Sequence, residues 1–157
     1  TFGSKMSLHL NGEDIDLIHV DNGHTDGDIF VHFKKANVFH TGDSFVRYGY
    51  PFIDYSSKGW IGGMVSAASK LLKVVDNNTK IVPGHGPVTN KAGLQAFHDM
   101  LEGIHQKVEP MVKKGMTENE VVAAKPTAAF DAKWGGGFLK ADQFSSLVYR
   151  TIKRHNG

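Results

Sequence analysis

Gly23-His24-Thr25-Asp26-Gly27-Asp28, His40-Thr41-Gly42-Asp43 and Pro83-Gly84-His85-Gly86 are the three segments on which the reading of this chain turns. Each sets a side chain able to ligate a metal in a glycine-containing turn, directly after β-forming residues. Residues 15–20 lead to His24, 37–41 to Asp43 and 80–82 to His85. In an open α/β sheet, ligands are held in the crevice beyond the carboxyl ends of the strands, so three such turns can share one rim. Histidine is the commonest neutral metal ligand near neutral pH, and an aspartate can bridge two divalent ions through its two oxygens. The adjoining glycines let the chain turn sharply and leave the imidazoles free to point at an ion. Asp43, at a strand end behind Gly42, needs a cation or hydrogen-bond donors to satisfy it.

Upstream, Met6, Leu8 and Leu10 alternate with polar residues, Asn11-Gly12 supplies turn chemistry, and Ile15, Leu17, Ile18 and Val20 follow. That pattern predicts a β-hairpin. Residues 29–33 and 38–40 read as two more strands around 34–37. The long segment 43–58 reads as a loop rich in aromatics (Phe45, Tyr48, Tyr50, Phe52, Tyr55), open to two readings: substrate pocket, or core and interface. Downstream, 59–76 has apolar residues at helical spacing, 80–82 is a buried strand, and a helix runs from about Asn90 to Lys114, which Pro110 should kink or interrupt. Thr117-Glu118-Asn119-Glu120 is a capping box for a short helix through Ala124. Gly135-Gly136-Gly137 reads as a flexible break, and 142–154 as a closing helix. Strands first, then a strand among helices, means α/β or α+β and not all-β.

The 157 residues suffice for one domain. Eighteen basic and sixteen acidic residues leave a net charge of +2, which gives no argument for nucleic acid or an anionic membrane. Arg150, Lys153, Arg154 and His155 read as the solvated end of a helix. There is no cysteine, which excludes disulfides, thiolate zinc sites and cysteine nucleophiles. No apolar run reaches the ~20 residues of a membrane span, and the compartment is left open between cytoplasm and periplasm. The chain opens on Thr1-Phe2-Gly3 with no signal peptide and no initiator methionine, so a processed, trimmed or excised piece is the expectation. Asn77-Asn78-Thr79 matches a glycosylation acceptor, a tripeptide common by chance. Ser44, Ser56 and Ser57 have no Gly-x-Ser-x-Gly elbow, which argues against a serine hydrolase. No glycine-rich phosphate loop is present. His98 and His105 lie two helical turns apart, too far to chelate together, and His9, His19 and His32 stand alone in strands. His40, before its turn, is placed to hydrogen-bond near the site.

In order, spacing and strand context the three segments resemble the later motifs of the metallo-β-lactamase superfamily. The resemblance covers most of the chain and weakens beyond the helix that begins near Asn90. It implies an αβ/βα sandwich, a mixed sheet covered by helices, with two halves related by approximate symmetry. It also implies zinc, one or two ions at the sheet rim, with iron in some branches. Carried over by motif, His24 corresponds to the last histidine of the first metal site, Asp43 to the bridging carboxylate and His85 to a ligand of the second metal. Thr25 and Asp28 would orient His24 or stiffen its loop. The implied chemistry is metal-activated water attacking a lactam, lactone, thioester or phosphoester.

The superfamily's earlier His-x-His-x-Asp-His motif is missing; only 23 residues precede His24, and no His-x-His occurs anywhere. The expectation is therefore a single, N-terminally incomplete domain over 1–157, half of the sandwich. Two metals would each keep one histidine and a share of Asp43, short of the three protein ligands of a catalytic zinc. Weak or absent zinc binding and weak or no activity follow for the isolated chain, and no catalytic residue is assigned. A half-sandwich exposes sheet face and edge, so a homodimer, or pairing with a complementary N-terminal half, is expected. The parent enzyme would take a small-molecule substrate. The alternatives are a non-catalytic dimerising half-domain or scaffold, and an iron-dependent oxidoreductase relative.

Overall fold

The computed structural model describes residues 2–157. Five strands form one mixed sheet in sequence order: β1 (Lys5–Leu10), β2 (Glu13–His19), β3 (Ile29–Phe33), β4 (Val38–His40) and β5 (Lys80–Val82). The first four pair antiparallel, and β5 joins β4 in parallel. The predicted hairpin closes at Asn11-Gly12, where both residues take positive φ, 52° and 75°. Because β3 runs against both neighbours, β2, β4 and β5 point the same way. Their carboxyl ends, and with them the His24, Asp43 and His85 turns, share one edge of the sheet.

Helices α1 (Ile61–Leu72), α2 (Lys91–Lys113), α3 (Glu118–Ala123), α4 (Asp131–Trp134) and α5 (Ala141–Asn156) form the other layer. The apolar stripe of α2, with Leu94, Phe97, Leu101, Ile104 and Val108, is fully buried between α1 and α5. Burial of side chains this size favours the fold by roughly 1.5–3 kcal/mol each. Two expectations need correcting. Pro110 does not interrupt α2: it lies in the last turn on the exposed side, where one backbone hydrogen bond at most is lost, and its carbonyl still accepts from Lys114 N at 3.0 Å. Nor is Gly135-Gly136-Gly137 a loose break. A Cβ on Gly137 would stand 2.1 Å from the Tyr48 carbonyl, and one on Gly49 2.8 Å from Gly137 Cα, so the two backbones are in close contact.

The aromatic loop 43–58 divides by burial. Phe45 and Tyr50 are core residues: Tyr50 stacks on Phe144 at 4.5 Å, and Phe45 meets Phe97 at 4.8 Å. The Tyr50 hydroxyl donates to Asp131 Oδ1 at 2.7 Å, and burial pushes its pKa well above the ordinary phenol value.

The register sorts the sheet into two faces. Ile18, Phe30, Phe39 and Ile81 face the helices and join the core. The other face carries two cross-strand rows, Met6-Leu17-Val31-His40-Val82 and Leu8-Ile15-Phe33-Val38-Lys80. None of these ten belongs to the core cluster or packs against it, and Met6 and Leu8 are 38% and 42% exposed. Among the described residues, nothing covers this face.

Candidate metal centre

Asp43 stands between two imidazoles. His85 Nε2 lies 3.4 Å from Asp43 Oδ1, and His24 Nε2 lies 4.0 Å from Asp43 Oδ2. Each histidine thus meets a different oxygen of one carboxylate. These separations exceed an ordinary N–H···O bond of about 2.9 Å. The shorter one matches ligands about 2.1 Å from a common ion at the tetrahedral angle, whose donor atoms lie about 3.4 Å apart. Among the described residues, however, no three His, Asp or Glu side chains gather to hold one ion. Asp43 turns one oxygen toward each imidazole, and two protein donors on either side are fewer than a zinc shell requires.

The local sequence explains how the three are set. His24 Nδ1 is 2.9 Å from the Phe52 carbonyl, which can only accept, so Nδ1 carries a proton and Nε2 is the nitrogen turned toward Asp43. The loop around it is tied by Asp28. One carboxylate oxygen accepts from His24 N at 2.7 Å and from Ser44 Oγ at 2.5 Å; the other accepts from Thr25 N at 3.2 Å and Thr25 Oγ1 at 2.6 Å. Asp28 therefore joins the first turn to the short 3-10 turn Gly42–Ser44 that carries Asp43. A second tie is Asp54, whose main-chain N–H donates to the His24 carbonyl at 2.9 Å. Hydrogen bonds from the Ser56 and Ser57 hydroxyls hold the Asp54 carboxyl down at about 2. These bonds occupy Ser44, Ser56 and Ser57 as structural donors.

Gly42 bends the chain into Asp43 with φ of 53°. Gly84 N donates to the carbonyls of Gly42 (2.9 Å) and Phe45 (3.0 Å), which brings the β5 turn against the β4 turn and His85 to Asp43. His40 is not at the carboxylate. It lies on the uncovered face, and its Nδ1 accepts from Gly42 N at 3.2 Å, which braces that turn.

Two residues of the site escape a reading by ligand type. Tyr48 stands edge-on to His85 with ring centroids 5.5 Å apart; burial, with the charge of Asp43 adding, pushes its phenol above the ordinary value. Phe52, 43% exposed, meets the His24 ring edge-on at 6.0 Å. Together they form an aromatic wall over the rim; only their place in the 43–58 loop hinted at it. The remaining histidines have other partners. His98 shares a hydrogen bond with Ser69 Oγ, His32 stacks on Phe39 at 3.9 Å, and His105 meets Trp60 edge-on.

A five-stranded mixed sheet with helices on one face and three acidic or histidine turns along one edge has counterparts of known structure. A metallo-β-lactamase from Pontibacter korlensis matches 65% of this chain at TM-score 0.56 and 17% identity. The fold is the metallo-β-lactamase fold. The DIM-1 metallo-β-lactamase matches 64% of the chain at TM-score 0.53 and 21% identity. The stereoselective inverting sec-alkylsulfatase Pisa1 from Pseudomonas sp. matches 96%, at TM-score 0.73 and 12% identity, so the likeness to it extends through the C-terminal helices. The chain spans 47% and 45% of the two lactamases and 26% of the alkylsulfatase. No protein-family model and no curated protein matches the sequence. No described helix is long and apolar enough to cross a membrane.

Proposed function

We propose that this chain supplies one side of the metal centre of a zinc-dependent hydrolase with the metallo-β-lactamase fold. The observation that carries the reading is the pair of imidazoles on opposite oxygens of Asp43, delivered by three parallel strand ends. Zinc held at such a rim supplies Lewis acidity toward a carbonyl, phosphoryl or sulfuryl oxygen and acidifies water. The chain's own contribution is positional. The Phe52 carbonyl fixes the His24 tautomer, Asp28 and Asp54 hold its loop, and Asp43 presents one oxygen to each side. Tyr48 and Phe52 give the substrate an apolar wall beside the ligands. The substrate bond is a lactam, lactone, thioester or phosphoester, and the likeness to an alkylsulfatase adds a sulfate ester.

Zinc titration against a chromophoric chelator tests this reading. The isolated chain should bind zinc in the micromolar range or weaker, given two donors per ion, and Asp43→Ala should lose at least about tenfold in affinity. His24→Ala and His85→Ala should each lose less, since each deletes a ligand on one side of the carboxylate. Zinc affinity unmoved by Asp43→Ala would overturn the assignment. Purification with iron and oxygen consumption would favour the oxidoreductase alternative instead.

The uncovered sheet face belongs to the same proposal. Ten side chains in two rows, mostly apolar, form a surface of the kind a second sheet covers at about 10 Å separation. In the isolated chain a second copy takes that place; a complementary half takes it in the assembled enzyme. Light scattering at micromolar concentration should give a dimer mass, and Val31→Lys, at the centre of one row, should give a monomer. A monomer from the unaltered chain would count against it.

A further inference from the structure

A chain of hydrogen bonds joins Ser69 on α1 to His98 and Asp99 on α2. Ser69 Oγ lies 2.8 Å from His98 Nε2, and His98 Nδ1 lies 3.0 Å from Asp99 Oδ1. The carboxylate can only accept, so Nδ1 carries a proton. In the neutral ring Nε2 is then an acceptor, and the Ser69 hydroxyl donates to it. Gln95, one turn earlier on α2, donates to the same carboxylate oxygen at 2.7 Å. The bond from His98 foremost, with that from Gln95, holds the Asp99 carboxyl below its ordinary range and keeps it ionised behind the imidazole.

This environment is particular to Ser69 among the described serines. The hydroxyls of Ser7, Ser44, Ser56, Ser57 and Ser146 donate to carboxylates, and that of Ser145 to the Ala141 carbonyl. An imidazole takes up protons at about pH 6.5 and a carboxylate at about pH 4, so the imidazole is the better base toward a hydroxyl near neutral pH. Ser69 is half-buried, open enough for a small reagent to reach. Val65 and Leu72, one turn to either side of it on α1, are half-buried and packed against the core, an apolar border for the group it would receive.

We infer that Ser69 is a nucleophile that accepts an acyl group from a donor with a good leaving group, such as an aryl ester, a thioester or an acyl phosphate. Ser69 Oγ bonds to the acyl carbon while the bond from that carbon to the leaving oxygen or sulfur breaks, and the leaving atom departs with the electron pair. The hydroxyl proton passes to His98 Nε2, and Asp99 stabilises the imidazolium through Nδ1–H. The product is an O-acyl serine, and the ring then gives its proton to the leaving group or to water. Main-chain N–H groups in the middle of α1 serve the helix and are not aimed at an oxyanion, so the site suits donors whose leaving group departs as a stable anion. None of the three residues belongs to the metal centre, and the inference stands apart from the hydrolase reading.

The test treats the 157-residue chain with p-nitrophenyl acetate near neutral pH, in EDTA so that metal-bound hydroxide takes no part. Trypsin then releases residues 59–70, which carry both Ser69 and the exposed Ser66, an internal control whose hydroxyl has no hydrogen-bond partner among the described residues. Fragmentation should place an acetyl group on Ser69 at least about tenfold faster than on Ser66, and hydroxylamine should remove it, as it removes an ester and not a lysine amide. Ser69→Ala should abolish this label, and His98→Gln should slow it by at least about tenfold. Asp99→Asn should slow it by about threefold or more and move the ring proton of His98 from Nδ1 to Nε2 in nitrogen-15 spectra. Slowing without that change of tautomer would remove Asp99 from the relay. Equal labelling of Ser69 and Ser66, or an unchanged rate in His98→Gln, would overturn the inference.

Discussion

Replacing Asp28 with alanine should cost the fold about 3 kcal/mol and free the His24 loop. The carboxylate accepts four hydrogen bonds, from two main-chain and two side-chain donors, on three residues. Charge-assisted bonds contribute about 1.5–3 kcal/mol each when removed singly, but four on one carboxylate are far from additive, and partial exposure lets water replace some. The packing around it leaves little space for rearrangement. A Cβ on Gly23 would stand 2.7 Å from Ser44 Oγ and 2.9 Å from Asp28 Oδ2, so the loop is closed tightly round this group. Asp28→Asn keeps the shape but turns an amide N–H₂ toward donors, and should recover less than half of the loss. Urea unfolding gives the stability change, and the His24 ring resonances report whether the imidazole leaves the Phe52 carbonyl. A loss below about 1 kcal/mol would mean that water substitutes for the carboxylate.

How far the sequence carried can be judged from particular residues. The three turns were legible because glycine, a ligand and a preceding β-run are local features, and the common direction of β2, β4 and β5 then brings them to one edge. The α2 stripe was legible for the same reason: periodicity needs no partner. The aromatic loop was not. Phe45 and Tyr50 enter the core while Tyr48 and Phe52 line the rim, and no period in 43–58 separates the two pairs, because tertiary contacts with α2, α4 and α5 decide them. Ser44 showed only as an unsupported nucleophile; its bond to Asp28 spans sixteen residues of sequence. On the side away from the helices β2 and β3 carry Ile15, Leu17, Val31 and Phe33, an apolar set that one layer of helices leaves uncovered. Pro110 and Gly135–Gly137 misled because the penalty of each depends on position: a helix end in the first case, a backbone contact in the second.

Gly84→Ala should disable the metal rim at a modest cost to the fold. A Cβ there would stand 2.1 Å from Asp43 Oδ1, 2.7 Å from Gly42 C and 2.8 Å from Asp43 N. The first contact drives the carboxylate away from His85; the other two press on backbone that cannot move without breaking the Gly84 N bonds to Gly42 and Phe45. Overpacking of this kind costs about 1–3 kcal/mol, and the strain falls on the turn that carries Asp43. Zinc affinity should drop at least as far as in Asp43→Ala, although His24, Asp43 and His85 are all still present in the sequence. Gly27, in the first segment, provides the contrast. Its nearest neighbour would be Thr25 Oγ1 at 3.8 Å from an added Cβ, so Gly27→Ala should stay within about 0.5 kcal/mol of the unaltered chain and keep its zinc affinity. Both segments look alike as Gly-containing turns, yet of these two glycines only Gly84 is required by contact with the Asp43 carboxylate. Equal zinc affinity in the two variants would show that Asp43 is not held in place by the β5 turn, and the shared-carboxylate geometry would lose its structural basis.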